Sequence, residues 1–154
     1  MLKTIRIRQA TKKDISTISK SIAEWLDWKV PRELSITRAV ENKELLVADR
    51  KGTVVGFVHC VMHEDVVDGG LNAFTPCFYL ALEFRNQRIG SLLLDRGIDD
   101  AVRKGAVGIE ISTASPDARR LYERHGFRQF TGKWAMGEVF LELNVAKKRP
   151  KKRR

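Results

Sequence analysis

Cysteine is scarce in this chain, with Cys60 and Cys77 the two thiols among 154 residues. Two cysteines cannot build a disulfide framework, and they fit a reducing cytoplasm, the compartment we expect. Long apolar runs are missing too. No stretch reaches the about eighteen consecutive apolar residues of a membrane helix. The opening Met1-Leu2-Lys3-Thr4-Ile5-Arg6-Ile7-Arg8 alternates charged with apolar residues, where a signal peptide would be continuously apolar. The expectation is therefore a chain with no export signal and no membrane partner. Repeats, low-complexity segments and shifts of composition are absent before residue 146, which predicts one domain over residues 1–146.

Apolar residues make up 43% and charged residues 31%, a balance that supports a packed core and argues against overall disorder. The formal net charge of +10 looks like the footprint of a nucleic-acid binder until it is located. Residues 147–154, Lys-Lys-Arg-Pro-Lys-Lys-Arg-Arg, hold seven basic residues and no acid; removing those seven from +10 leaves +3 for residues 1–146. A run that repels itself and has nothing apolar to bury reads as a disordered tail. Two roles for it stay open: a solvated tail that aids solubility, or a tether to RNA, DNA or another polyanion.

Ile5 and Ile7 share one face of an opening strand. Thr11 followed by Asp14 has the spacing of a capping box, so a helix is predicted near Lys12, with Ile15, Ile18, Ile22 and Trp25 on its buried stripe. Pro31 restarts the chain in a second helix through Val40. Strands over residues 44–50 and 53–63 flank Arg50-Lys51-Gly52, a hairpin turn with glycine available for positive φ. Residues 64–74 read as a polar, glycine-containing loop and 75–82 as another strand. Leu93, Leu94, Ile98 and Ala101 lie at helical spacing between Ile89 and Lys104, ahead of Gly105, a suitable left-handed cap. Val107, Ile109 and Ile111 alternate with Gly108, Glu110 and Ser112, as a strand requires.

The next helix is punctuated clearly. Ser115 reads as its N-cap, Pro116 sits where a missing N–H costs nothing, and Asp117 faces the positive end of the helix dipole. Ala118, Leu121, Tyr122 and His125 share one face, and Gly126-Phe127 closes the helix as a Schellman motif. Strands over residues 127–134 and 136–144 complete an α/β fold of α+β type. Its central sheet is mixed and mostly antiparallel, with about seven strands flanked by about four helices.

The segment Arg85-Asn86-Gln87-Arg88-Ile89-Gly90-Ser91 lies between a strand and a helix. Successive amides and the positive helix end can converge there on an anion such as a pyrophosphate. A strand-to-helix turn with no ligand is the other reading of that segment taken alone.

With the later segment the two resemble the GNAT superfamily of acetyl-CoA-dependent N-acetyltransferases. Arg85, Ile89 and Gly90, continued by Ser91-Leu92-Leu93-Leu94, fit its coenzyme signature; Ala118, Leu121, Tyr122, Gly126 and Phe127 fit its second pattern. Arg8, Ala10, Thr11 and Asp14 resemble its opening strand and first helix, so the likeness covers residues 4–144. The sequence departs from the family at Arg88, which stands where glycine is usual, and at Ser115, which stands where asparagine often bonds the pantetheine arm.

The resemblance implies acetyl transfer from acetyl-CoA to a primary amine by direct attack in a ternary complex, with no metal. It implies that the pantetheine arm lies along the backbone of Phe78, Tyr79 and Leu80, with an amide there aimed at the thioester oxygen. The pyrophosphate would rest on the amides of Asn86, Gln87, Arg88, Ile89, Gly90 and Ser91. An amine with a pKa of about 10.4 must lose a proton before it attacks. Glu110 aligns with the family's general base, and burial there would suit it to accept that proton. Tyr122 matches the tyrosine that protonates the departing thiolate. A solvated strand residue is the alternative for Glu110, and a core tyrosine the alternative for Tyr122.

Other residues rank lower. Cys60 points away from His59 and His63 on a strand, which disfavours a metal site. Cys77 has no base beside it to make it a covalent acetyl carrier, and His125 reads as a partner of a helix C-terminus. Glu24, Trp25, Asp27 and Trp28 are candidates for an acceptor pocket, with core packing favoured for the tryptophans. The acceptor stays open among a polyamine, another small amine and a protein N-terminus or lysine; the oligomeric state is monomer or homodimer. The alternative function is a catalytically weak acyl-CoA-binding or RNA-associated module localised by its tail. Deleting residues 147–154 is expected to leave the melting temperature and small-amine turnover unchanged while lowering retention on a heparin column.

Overall fold

The computed structural model describes residues 4–66, 69–129 and 139–145. The elements are β1 (Ile5–Gln9), α1 (Ile15–Leu26), α2 (Glu33–Glu41), β2 (Leu45–Arg50), β3 (Thr53–Asp65), β4 (Gly70–Leu80), α3 (Ile89–Arg103), β5 (Gly108–Thr113), α4 (Pro116–Arg124), β6 (Arg128–Gln129) and β7 (Val139–Asn144). The strands form one sheet in the order β1-β2-β3-β4-β5-β7-β6. β4 and β5 run parallel, while the β1–β2, β2–β3, β5–β7 and β6–β7 pairs are antiparallel. This is the expected mixed sheet with four helices.

The chain divides into two compact units, Met1–His59 with Cys77–Leu94, and Cys60–Pro76 with Asp95–Arg154. In the first, the unbroken run Leu45-Leu46-Val47-Ala48 is buried on both faces of β2, as a strand covered on two sides must be. Leu45 and Val47 join Ile18 of α1, Ile36 and Ala39 of α2, and Phe57. Leu46 points the other way with Val58 and Leu93 of α3. In the second unit Ile109 and Ile111 of β5 pair with Leu143 and Leu141 of β7, all four buried.

Arg8 ties the start of the first unit together. Its guanidinium donates to both carboxylate oxygens of Asp14 at 2.7 and 3.0 Å and to Asp49 Oδ2 at 2.8 Å. Asp14 also accepts the Thr11 amide at 2.7 Å, the capping contact expected of that pair. One 3₁₀ turn, Lys12–Asp14, leads into α1.

Two sequence-based expectations are corrected. Residues 64–74 are not a loop: β3 continues to Asp65 and β4 begins at Gly70. Asn72–Thr75 gain ladder partners Gly108–Ile111, and that non-local pairing outweighs the turn-forming composition. The strand expected over 75–82 ends at Leu80, and Leu82–Phe84 form a 3₁₀ turn. Of the last hairpin, expected over 127–134 and 136–144, Arg128–Gln129 and Val139–Asn144 are strand; residues 130–138 of that expectation, and the tail at 147–154, lie outside the described residues. The turn at Arg50–Gly52 forms as expected, with Lys51 as well as Gly52 at positive φ (51° and 89°).

The hydrogen bonds from Arg8, with those from Thr11, hold the Asp14 carboxyl below its usual range, against the opposing effect of burial. A depressed carboxylate stabilises the fold above its unfolded pKa and loses that contribution as pH falls through the folded value. Asp14→Asn is expected to cost about 2 kcal/mol at neutral pH. It should also flatten the loss of stability below about pH 4, measured by denaturant unfolding across pH.

Candidate active site

The strand-to-helix segment is held from both ends. Arg85 Nε donates to the Leu80 carbonyl at 3.0 Å, folding the loop back on the end of β4. Gln87 Nε2 donates to the Glu83 carbonyl at 2.8 Å, and Gln87 Oε1 is buried without a hydrogen-bond partner. Asn86 and Arg88 are both left-handed, with φ 58° and 63°, and the buried side chain of Ile89 anchors the first turn of α3. The Leu92 amide donates to the Arg88 carbonyl at 3.1 Å. The Ile89, Gly90 and Ser91 amides precede that bond and have no acceptor within the helix. The arrangement can bind an anion through main-chain donors.

Phe78, Tyr79 and Leu80 commit their side chains to packing. Phe78 lies against Leu46, Val58 and Leu93. Tyr79 stacks on Phe57 at 5.2 Å between ring centroids and meets Trp25 at 5.5 Å. Leu80 is buried with Ala48, Val55 and Ile89. The described ladder to β5 covers Asn72–Thr75 and includes none of these three residues. On the β3 side the main chain is close enough that a β-carbon at Gly56 would stand 2.8 Å from the Tyr79 carbonyl oxygen.

In the second unit, register builds a row of functional side chains. Phe74 of β4 pairs with Glu110 of β5, Glu110 with Glu142 of β7, and Glu142 with Arg128 of β6. Paired residues share a face. His63 of β3 joins the row, its Nε2 4.0 Å from Glu110 Oε2. The burial expected of Glu110 is not found, because its side chain is 47% exposed. Glu110 and its cross-strand partner Glu142 both stand in solvent, where neither charge has to be desolvated.

Ser115 caps α4 as expected, its Oγ accepting the Ala118 amide at 3.3 Å. Phe127 and Gly126 donate to the carbonyls of Tyr122 and Glu123 at 3.1 and 3.0 Å, closing the Schellman motif with Gly126 at φ 91°. Tyr122 is 3% exposed and packs on the Phe127 ring. Leu143, beside Gly126, shares its face with Ile109. Glu110 points to the opposite face of β5 from Ile109.

The sequence model of the acetyltransferase (GNAT) family matches residues 8–127. The chain belongs to that family. "Acetyltransferase Atu2258" of Agrobacterium fabrum is 38% identical over 71 residues, covering 42% of this chain and 52% of the relative. The match thus spans about half the length of that curated relative. Among solved structures, a ribosomal-protein-alanine N-acetyltransferase from Brucella melitensis superposes with TM-score 0.74 at 20% identity, covering 90% of this chain and 99% of the other. Arabidopsis thaliana Naa50 in complex with the bisubstrate analogue CoA-Ac-MVNAL superposes with TM-score 0.71 at 15% identity, covering 92% and 99%. At these identities the structural likeness establishes the fold.

Against the GNAT pattern, Arg88 does adopt the left-handed conformation for which the family's usual glycine is suited, and Ser115 spends its acceptor on α4. Trp25 and Trp28 are 45% and 62% exposed, which corrects the core-packing expectation for both. Of the four residues expected around an acceptor pocket, Glu24 lines a cavity of ≈ 540 Å³ together with Ser21, Arg50, Tyr79 and Phe84. Burial pushes the Cys77 thiol up to about 11, and His125 is held by the Leu121 carbonyl at 2.8 Å and Asp95 at 3.2 Å. Among the described residues no three His, Cys, Asp or Glu side chains converge as a metal site.

Sequence reasoning missed His63 as a partner of Glu110, and it missed Glu142 altogether. The only signal for either was cross-strand register, which a single sequence does not print. Left-handed backbone at a non-glycine residue costs on the order of 1 kcal/mol. Arg88→Gly is accordingly expected to raise the melting temperature of the ligand-free protein by about 2–4 °C in calorimetry.

Proposed function

We propose that this chain transfers the acetyl group of acetyl-CoA to a primary amine by direct attack in a ternary complex. The observation that carries the reading is the loop from Asn86 to Ser91. Two left-handed residues and the first amides of a fifteen-residue helix present main-chain donors beside Arg88. These groups suit a pyrophosphate, with the Arg88 guanidinium as a charge-assisted partner. The backbone of Phe78, Tyr79 and Leu80 suits an extended pantetheine arm, because the described β5 ladder leaves those residues out. Acetyl-CoA supplies the activated acetyl group, and the chain's own residues orient it and move protons. Ser115 is a weaker contact, since its oxygen caps α4 while its hydroxyl proton stays available.

Glu110 is proposed as the acceptor of the amine proton. Its exposure leaves the carboxylate open to an incoming amine, and His63 stands beside it. Tyr122 is proposed as the donor to the departing sulfur, its ring fixed by Phe127. The Brucella neighbour, by name a ribosomal-protein-alanine N-acetyltransferase, and the Arabidopsis neighbour's analogue, which joins CoA to a peptide, favour a protein or peptide N-terminus as acceptor.

Acetyl-CoA at a hundred times its Kd is expected to add about 2.7 kcal/mol of stability, read as a rise in melting temperature. No rise at millimolar coenzyme would remove the basis of the reading. Free thiol should appear when amines are added. Glu110→Gln should slow that release by roughly a hundredfold, with the deficit shrinking at high pH where solvent deprotonates the amine. Tyr122→Phe should lower turnover less, because a thiol of pKa about 8.5 is already a fair leaving group.

A further inference from the structure

Glu110 has a neighbour whose chemistry suits the step that an exposed carboxylate performs poorly. His63 Nε2 stands 4.0 Å from Glu110 Oε2, and the two side chains are 39% and 47% exposed. A closure of about 1 Å brings them to hydrogen-bond distance, and half-exposed side chains on strands can make it by rotamer adjustment. The other groups on this face are Phe74 from β4, Glu142 from β7 opposite Glu110, and Arg128 from β6 opposite Glu142. Asp65 follows His63 by two residues on β3 and so shares its face. Two carboxylates, Glu110 and Glu142, therefore stand side by side, with an imidazole next to Glu110.

The need for a second group follows from magnitudes. In solution an alkylammonium loses its proton at about 10.4, an imidazolium at about 6.5 and a carboxylic acid at about 4.3. Handing the proton on from a carboxyl to an imidazole is therefore roughly a hundredfold more favourable than leaving it on the carboxyl. The carboxylate keeps its negative charge after the transfer, and that charge holds the imidazolium. Glu142 adds to the negative potential on the same face.

We infer that His63 is the proton store of the acetyl transfer, acting through Glu110 as a positioning residue; the inference rests on the function proposed above. Glu110 takes one proton from the ammonium group of the acceptor. The resulting carboxylic acid passes it to Nε2 of neutral His63, leaving a carboxylate–imidazolium pair. The freed amine lone pair forms the C–N bond while the carbonyl π pair moves to oxygen; as that intermediate collapses, the C=O bond re-forms and the C–S bond breaks, its electron pair going to sulfur. The second amine proton leaves with the collapse of the intermediate and balances the proton taken up by sulfur. The imidazolium then loses its proton to water, so the net reaction releases one proton for each ammonium consumed.

The test uses the full chain, acetyl-CoA, and spermidine or a short peptide with a free N-terminus, with thiol release as the readout. His63→Ala should lower kcat about tenfold or more at pH 7 without raising KM for acetyl-CoA, and added free imidazole should restore part of the rate. The double variant His63→Ala/Glu110→Gln should be no slower than Glu110→Gln alone, because the two groups act in series. His63→Asn, with melting temperature and acetyl-CoA binding measured alongside, separates a folding defect from a chemical one. Wild-type rates for both His63 variants, losses that multiply in the double variant, or a loss that imidazole does not relieve would each overturn the role of His63 while leaving acetyl transfer standing. A wild-type protein that binds acetyl-CoA but releases no thiol with any amine would overturn both readings.

Discussion

The second unit depends on four residue pairs, the parallel ladder that joins Asn72–Thr75 of β4 to Gly108–Ile111 of β5. A slip of one residue would move Ile109 and Ile111 out of the core and bring Glu110 into it. Gly108 guards against the slip. A β-carbon at that position would stand 2.8 Å from Asn72 Oδ1, so the glycine leaves room for a buried amide that fits at this register. β7 then pairs with β5 from Gly108↔Asn144 to Thr113↔Val139, and β6 pairs with β7 in turn. The row from Phe74 to Arg128 is thus assembled by main-chain pairing, with side chains that are far apart in sequence.

What was legible in the sequence was local. The Thr11–Asp14 pair, the Ser115 cap, the Gly126-Phe127 closure and the turn at Lys51-Gly52 each involve residues a few positions apart, and each formed as their chemistry demands. The continuous apolar run in β2 is likewise a local signal. What was not legible was long-range. Residues 64–74 look like a loop because Gly69, Gly70 and Asn72 are turn-formers in isolation, yet β3 runs to Asp65, β4 starts at Gly70, and Asn72–Phe74 pair in parallel with β5. Trp25 and Trp28 looked like core because tryptophan carries the largest apolar surface, but the left-handed Asp27 ends α1 between them. The place of Glu110 opposite Glu142 on an exposed strand face is likewise a pairing that only the fold creates.

The proposed function asks different groups to do different work. Binding would fall to the main chain of the first unit: the amides of the loop before α3 and the backbone of β4, around side chains already used for packing. Such a site tolerates Arg88 in place of glycine, because the donors do not depend on side-chain identity. The proposed proton transfer would fall to side chains of the second unit such as Glu110, where one substitution would remove a function without disturbing a ladder. Coenzyme binding and proton transfer can therefore be lost separately, and acceptor preference can drift while the coenzyme site is kept.

Cys77 adjoins Phe78 on the same strand, and burial pushes its thiol up to about 11. At neutral pH only about one such thiol in ten thousand is ionised, and the thiolate is the form that attacks. A thioester held along the neighbouring backbone would meet an unreactive sulfur. Under the proposed function, the apolar packing around that side chain would hold back thiol–thioester exchange, which would otherwise strand the acetyl group on the protein itself.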